Sequence, residues 1–318
     1  MSDQNQAIVG GLITASAISL HVLLNNRTIS MSRNLYSLVG NELNLSRTRF
    51  PLILGALAAG AAIQLKNSGL FGGSNGSDLS IWGFLIAGLF IGLGTSFAGA
   101  GIETQMWSFL PNFDRWTIAA IVLTFLGAFG GASLAINKPD AVSFLFGTAD
   151  TPKFDQSKSE VVLIVVLVIF ALFLCYHFFN QRAQIREIID MCISFLCGGL
   201  YALGLASSGL CDKTKVQAFF DWSGSFKGDV GVAMLVTLIA NLLLVWLLNR
   251  YRNPDWEKMP TNDQYLYVGS LLFGFGWGFC GLAIGPIFIV SASLVSQVLL
   301  LVLPLMIIGF LIDRRNNW

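Results

Sequence analysis

Residues 160–178 read EVVLIVVLVIFALFLCYHF, and after Glu160 the run holds no Asp, Glu, Lys or Arg. A helix that crosses the hydrocarbon core of a bilayer needs about 20 mostly apolar residues, so this run is long enough to span. Working outward, similar runs bounded by charge or by Pro and Gly clusters lie at 7–24, 51–66, 81–99, 116–137, 189–208, 229–248, 265–282 and 294–312. With 160–178 they predict nine spans.

The composition agrees. Of 318 residues, 54% are hydrophobic and only 12% charged, against about 25% charged in a soluble domain; mean hydropathy is +0.68. This excludes an ordinary cytosolic enzyme and a disordered chain. Net charge is +1, which gives no footing for nucleic acid, and the expected surroundings are a lipid bilayer. The expected fold class is an all-α polytopic membrane protein of about nine transmembrane helices. Five cysteines (Cys175, Cys192, Cys197, Cys211 and Cys280) lie in or beside apolar segments. They form no C-x-x-C and no cysteine–histidine grouping of zinc-site spacing, so neither a metal site nor a disulfide framework is expected. The opening residues MSDQNQ have no basic n-region, which predicts a retained span rather than a cleaved signal.

Basic residues fall unevenly between the two sides that nine spans would define. Lys66, Lys138, Lys153, Lys158, Lys213, Lys215 and Lys227 share the side of the N-terminus, and the other twelve of the 19 lie opposite. The excess predicts a C-terminus on the cytoplasmic or matrix side. The membrane itself is left as the plasma membrane or the mitochondrial inner membrane. Trp82, Trp107, Trp116, Trp246, Trp256 and Trp318 lie near predicted span ends, as an aromatic belt requires.

Four segments are too short or too mixed to span: Thr28–Gly40, Gly101–Leu110, Asp212–Gly224 and Gly285–Ala292. Backbone of this kind survives at membrane depth only where protein or a watery cavity satisfies it, so all four are expected to be re-entrant. Glycines join them to a repeat. Setting Gly92 on Gly274 brings Gly94 onto Gly276 and Gly99 onto Gly281, and sets Ala98 opposite Cys280. Gly10-Gly11-Leu12 likewise resembles Gly198-Gly199-Leu200. Two four-span halves joined by one extra span must be inverted relative to each other, which predicts a first repeat over 1–145, a polar link and extra span over 146–186, and a second repeat over 187–318. In such architectures binding sites lie near the midplane between repeats. The glycines themselves have two readings. Small-residue stripes allow close helix packing, whereas glycines at re-entrant ends would bare N–H groups toward an anion, helped by a helix's positive end.

Three segments resemble the YeeE/YedE sulfur-transport family of membrane proteins. Gly92-Leu93-Gly94-Thr95 through Gly101, with Trp107–Arg115, resembles its first-half glycine segment. Ser208-Gly209-Leu210-Cys211-Asp212-Lys213-Thr214-Lys215-Val216, continuing to Phe219-Phe220-Asp221, is similar to its Ser-Gly-Met-Thr-Asp-Pro-x-Lys-Val segment and is the most specific of the three. Phe273-Gly274-Phe275-Gly276-Trp277-Gly278-Phe279-Cys280-Gly281 through Gly285-Pro286 resembles its segment ending in Cys-Pro-Gly-Pro. The resemblance implies uptake of a small inorganic sulfur anion such as thiosulfate, passed along by cysteine S–H groups. Here the family's first-half Cys falls on Gly101 and its His on Gln105, while its second-half Cys falls on Ile284 or Ala283. Cys211 and Cys280 stand nearby instead.

The candidate pathway is therefore Cys211, Cys280, Gly94, Gly99, Gly101, Gln105, Gly276, Gly281 and Gly285, with Lys215 to neutralise an anion at a vestibule. A thiol is a weak donor but needs no charge at membrane depth; cysteine is also a small hydrophobe that packs well. Glu103 is two-sided. If it lines the pore, it opposes an anion in the first half or supplies proton coupling. His21 and His177 read as interfacial or packing residues. The sequence holds no phosphate loop, dinucleotide fingerprint or catalytic triad, so no enzyme and no cofactor is expected. Two functions stay open: a permease for a sulfur-containing anion, and a transport-inactive relative serving as a subunit of a larger membrane complex, for example in mitochondria.

Overall fold

The computed structural model describes residues 3–39, 46–67, 70–71, 79–99, 101–106, 115–147, 159–179, 184–222, 226–251, 264–292 and 298–312. The chain is an all-α polytopic membrane protein. Its helices are α1 (Asp3–Asn25), α2 (Met31–Val39), α3 (Ser46–Asn67), α4 (Ile81–Ala98), α5 (Ile102–Thr104), α6 (Arg115–Asn137), α7 (Ser159–Phe179), α8 (Ile185–Ser207), α9 (Lys213–Phe220), α10 (Asp229–Tyr251), α11 (Gln264–Cys280), α12 (Ile284–Ala292) and α13 (Leu303–Ile312), the last entered through a π-helical turn at Val298–Val302. Among the described residues, eight segments are long and apolar enough to cross a membrane, including Ile81–Thr104 and Tyr265–Ala292, each of which contains a break. The ninth expected span, 294–312, is a shorter apolar helix over Val298–Ile312, and residues 294–297 lie outside the described residues. Of the tryptophans expected at span ends, Trp82 and Trp246 are exposed, whereas Trp107, Trp256 and Trp318 lie outside the described residues.

The order long, short, long, long, short, long runs from α1 to α6 and again from α8 to α13, with α7 between, except that the last place is held by the shorter Val298–Ile312 segment. Packing follows the same order. Helix α1 lies on α8 and α4 on α11; α3 lies on α8 as α10 does on α1, and α6 lies on α11 as α13 does on α4. Exchanging each of these helices for its counterpart returns the same set of neighbours. The short helices depart from it: among the described residues α12 packs on α3, whereas the three-residue α5 makes no comparable contact with α10. Helix α7 has no counterpart. It leans on α3 and touches α8 lightly, and Val161, Ile164, Val168 and Leu172 are exposed along it, as a lipid-facing helix requires.

Lipid tails are as apolar as leucine, so these helices associate by close fit rather than by escape from water. Glycine supplies the fit. A Cβ on Gly94 would overlap the backbone nitrogen of Phe273, and one on Gly269 that of Ala98. At the counterpart position, a Cβ on Gly276 would stand 2.9 Å from Ile91 Cγ1 and 3.0 Å from the Ala87 carbonyl oxygen. The two seams are the same contact seen from either end. Polar ties add direction: the Thr237 hydroxyl donates to the Gly11 carbonyl at 3.1 Å, joining α10 to α1. His21, buried, pairs through Nδ1 with the Arg27 carbonyl (2.7 Å) and through Nε2 with Ser194 Oγ (3.3 Å), which fixes the end of α1 against α8.

Candidate substrate pathway

Both long inner helices end on a glycine in the left-handed region: Gly99 closes α4 at φ 72° and Gly281 closes α11 at φ 74°. A side chain there would be strained, and glycine makes the stop without cost. These are the two glycines that the repeat register superimposes. Two residues later the chain turns helical again. Gly101 heads α5, accepting from the Thr104 and Gln105 N–H groups at 3.0 and 3.1 Å, and Ala283 heads α12, accepting from Ile287 N–H at 2.9 Å. Pro286 sits in the first turn of α12, where its missing N–H breaks no helical bond.

The same register sets Glu103 on Gly285, and these two positions meet. Glu103 Oε1 accepts the Gly285 N–H at 2.9 Å, so a first-half carboxylate sits on the N-terminal turn of the second half's short helix, where the helix dipole favours negative charge. Glu103 is only 5% exposed. Tyr201, from α8, and Cys211 face it, both fully buried. A Cβ on Gly285 would stand 2.5 Å from Glu103 Oε1, so only glycine admits this contact. Beside it lies a cavity of about 20 Å³ lined by Glu103, Met106, Leu205, Trp277, Pro286 and others, room for one water-sized probe. Among the described residues, the indole Nε1 of Trp277, itself 1% exposed, has no hydrogen-bond partner, while the Glu103 carboxylate and the Tyr201 hydroxyl are hydrogen-bonding neighbours.

On the second-half side the wall is charged and thiol-bearing. After α8 the chain reverses at Gly209 (φ 82°) and buries Cys211. Asp212 then caps α9, its Oδ1 accepting the Thr214 N–H at 2.9 Å and the Thr214 hydroxyl at 2.7 Å. Lys213 is buried against Gly281, where a Cβ would stand 2.7 Å from the lysine Cγ. Cys280, also buried, donates Sγ–H to the Leu282 carbonyl at 3.4 Å. Lys215 lies in a vestibule of about 320 Å³ shared with Asp3, Gln6, Ser207, Gly209 and Asp212, and its Nζ is 3.2 Å from Asp3 Oδ1. Both candidate thiols thus lie in the protein interior. Neither lines the central cavity, whose walls include Leu210, next to Cys211, and Ala283, three residues after Cys280.

On the first-half side the wall is made of hydroxyls bonded to one another. Ser30 caps α2 by accepting Arg33 N–H at 3.2 Å and shares a hydrogen bond with Thr104. Ser32 pairs with Thr104 at 3.0 Å and accepts the Gly101 N–H at 3.1 Å. Gln105 is bound on both ends of its amide, Nε2 to Ser270 Oγ at 3.2 Å and Oε1 from the Thr124 hydroxyl at 3.1 Å, which ties the segment after α5 to α11 and α6. Of the expected pathway residues, Gly94 and Gly276 lie in helix seams, Gly99 and Gly281 at the breaks, and Gly101 and Gly285 at the short helices. Sequence reasoning left Glu103 two-sided and missed Tyr201 and Trp277. One signal was present: the register that aligns the glycines also sets Glu103 on Gly285.

Comparison with known proteins places the chain near transporters. Residues 189–315 match the model of a family of unknown function, DUF6691. The chain is 29% identical over 131 residues to a protein named "Probable transporter" from Xylella fastidiosa strain 9a5c, the match covering 39% of this chain and 88% of that protein. A second "Probable transporter", from strain Temecula1, is 28% identical over 131 residues, covering 39% of this chain and 87% of its own length. Each of these relatives is about half as long as this chain.

Proposed function

We propose that this protein is a permease for a small sulfur-containing anion of the thiosulfate type, which crosses between two inverted repeats at the contact of Glu103 with Gly285. That contact carries the reading, because it brings equivalent positions of residues 1–145 and 187–318 together at the breaks of both inner helices, where repeat-built transporters hold their substrates. The half-length relatives named as transporters and the resemblance to the YeeE/YedE family support it. In this account Lys215 gathers the anion in the vestibule, and Cys211 and, on release from the Leu282 carbonyl, Cys280 offer S–H donors that bring no charge into the membrane. The central cavity holds about one water, so the conformation described is the occluded one, and passage requires the halves to rock apart. The chain carries no nucleotide-binding motif, so transport is passive or ion-coupled rather than enzymatic. The C-terminus faces the cytoplasm or matrix.

Uptake of labelled thiosulfate into proteoliposomes tests the reading. Uptake above that of empty vesicles, reduced by Cys280→Ala or Cys211→Ala, is expected; uptake equal to empty vesicles overturns it. One observation favours a second reading. Gln105, where the family resemblance sets a histidine, has both ends of its amide committed to neighbouring helices. A relative that has lost transport and serves as a subunit of a larger membrane complex would keep such a residue for packing alone, and stoichiometric copurification of other membrane subunits in mild detergent would favour it.

A further inference from the structure

We propose that the groove between α3, α7 and α8 is a lipid site, which holds one acyl chain of an anionic phospholipid along its floor and the headgroup phosphate at Lys66. The proposal goes beyond the permease reading and stands whether or not the chain transports.

Helix α7 leans on α3 through Val166, which packs with Leu54 and Ala58, but it touches α8 only lightly. The gap is a groove of about 650 Å³, within the range of about 300–1,000 Å³ that small-molecule sites occupy. Small residues make its floor, Ala58, Ala59 and Ala62 of α3 with Gly199 of α8, and Leu163 and Leu167 of α7 form one side. Of the side chains that line it, Lys66 alone is polar. An apolar channel closed by one cation is complementary to a chain that ends in one anion.

Length decides between a lipid chain and a protein helix. Along α3 the groove runs from Gly55 to Lys66, which at about 1.5 Å per residue is about 16 Å, close to half of the bilayer's hydrocarbon core of about 30 Å. At the Gly55 end it is shut. Phe170 of α7 stacks on Phe195 of α8 with ring centroids 4.1 Å apart, and beyond it Phe173 meets Phe50 at 5.0 Å. A transmembrane helix from another chain crosses both leaflets and would meet these rings halfway, whereas an acyl chain ends there. The Lys66 end lies at the membrane surface, because Leu70 lines both this groove and the vestibule that holds Asp3, at the start of α1. Lys66 is exposed and, among the described residues, has no ion-pair partner. A lysine so placed lays its methylenes on apolar surface and lifts its ammonium to the headgroup level, where a lipid phosphate supplies the opposite charge.

Native mass spectrometry of the full chain in mild detergent, with phosphatidylglycerol or phosphatidylcholine added, tests the site. One phosphatidylglycerol per chain should be retained, and phosphatidylcholine, whose headgroup has no net charge, should be retained less. A lysine near the membrane surface contributes about 1 kcal/mol toward anionic lipid, so Lys66→Gln should weaken phosphatidylglycerol binding about fivefold. Leu167→Trp, at a residue that is exposed on α7, fills the groove and should abolish retention. Leu172→Trp, exposed on the same helix outside the groove, should leave retention unchanged. Because Lys66 is exposed, its variant carries the test independently of packing in the groove. Equal retention of the two lipids, or undiminished phosphatidylglycerol in Lys66→Gln, overturns the headgroup site and with it the proposal. Undiminished retention in Leu167→Trp, or capture of a second protein chain that Leu167→Trp releases, overturns the groove as a place for lipid.

Discussion

The two halves bring nearly the same backbone to the centre and line it with different chemistry. In the first half, Ser30, Ser32 and Thr104 bond one another and the Gly101 N–H, and Gln105 is held between α6 and α11. In the second, Asp212, Lys213, Cys211 and Cys280 surround the counterpart segments, with a polar vestibule outside them. Repetition of the chain has therefore fixed where helices break without fixing what the breaks present. The first half reads as a wall closed by its own hydrogen bonds, with Glu103 its one buried carboxylate among the described residues; the second carries buried Lys213 and Asp212 and the thiols of Cys211 and Cys280.

The largest effect that probes this comparison is steric. Gly94→Ala forces a Cβ into overlap with the Phe273 backbone nitrogen, whereas Gly276→Ala meets Ile91 Cγ1 at 2.9 Å and the Ala87 carbonyl oxygen and Ile91 nitrogen at 3.0 Å, a milder overlap. Overpacking costs about 1–3 kcal/mol, and Gly94→Ala should lie at or above the top of that range with Gly276→Ala near the bottom, as read from thermal unfolding in detergent. Equal losses would break the claim that the seams differ in slack. Next comes the wall. Ser32→Ala leaves the buried Gly101 N–H without its acceptor, at about 1–3 kcal/mol, while Asp212→Ala removes a helix cap at about 1 kcal/mol. The first should lower the unfolding temperature more than the second.

Smaller effects separate function from packing. Cys280→Ala and Cys211→Ala each remove a weak donor, and a loss of about 0.5–1.5 kcal/mol should reduce thiosulfate uptake about two- to tenfold, whereas Cys197→Ala, inside α8, should leave uptake unchanged. The least change is expected at the vestibule. Lys215 and Asp3 form a partly exposed pair, and exposed pairs contribute about 0–1 kcal/mol, so Lys215→Ala should barely move the unfolding temperature. It should instead flatten the salt dependence of uptake, since a charge that steers ions is screened by salt.

Much of the fold was legible because crossing a bilayer demands length and apolarity, and both can be counted along a chain. The breaks were legible because only glycine adopts the left-handed stop cheaply, and Gly99 and Gly281 fell into register before any helix was placed. The site was less so. Gln105 reads as a pathway residue from the family resemblance, yet its partners Ser270 and Thr124 come from two other helices, and nothing local to it announces them. Tyr201 and Trp277 sit in apolar runs where an aromatic ring is unremarked, and their importance comes from facing Glu103 and its cavity across the bundle. Glu103 was legible in part: its cost at membrane depth marks it, and its match with Gly285 was implicit in the register.

The central claim is that the substrate passes where α5 meets α12. Ala283 heads α12 and lines the central cavity, so Ala283→Cys places a reporter thiol there, and its labelling by a small methanethiosulfonate in proteoliposomes can be compared with that of the unsubstituted protein. Labelling of the variant above that background, slowed by thiosulfate, is the predicted result. A thiol at 283 that stays unreactive, or reacts at one rate with and without thiosulfate, would contradict passage through the centre.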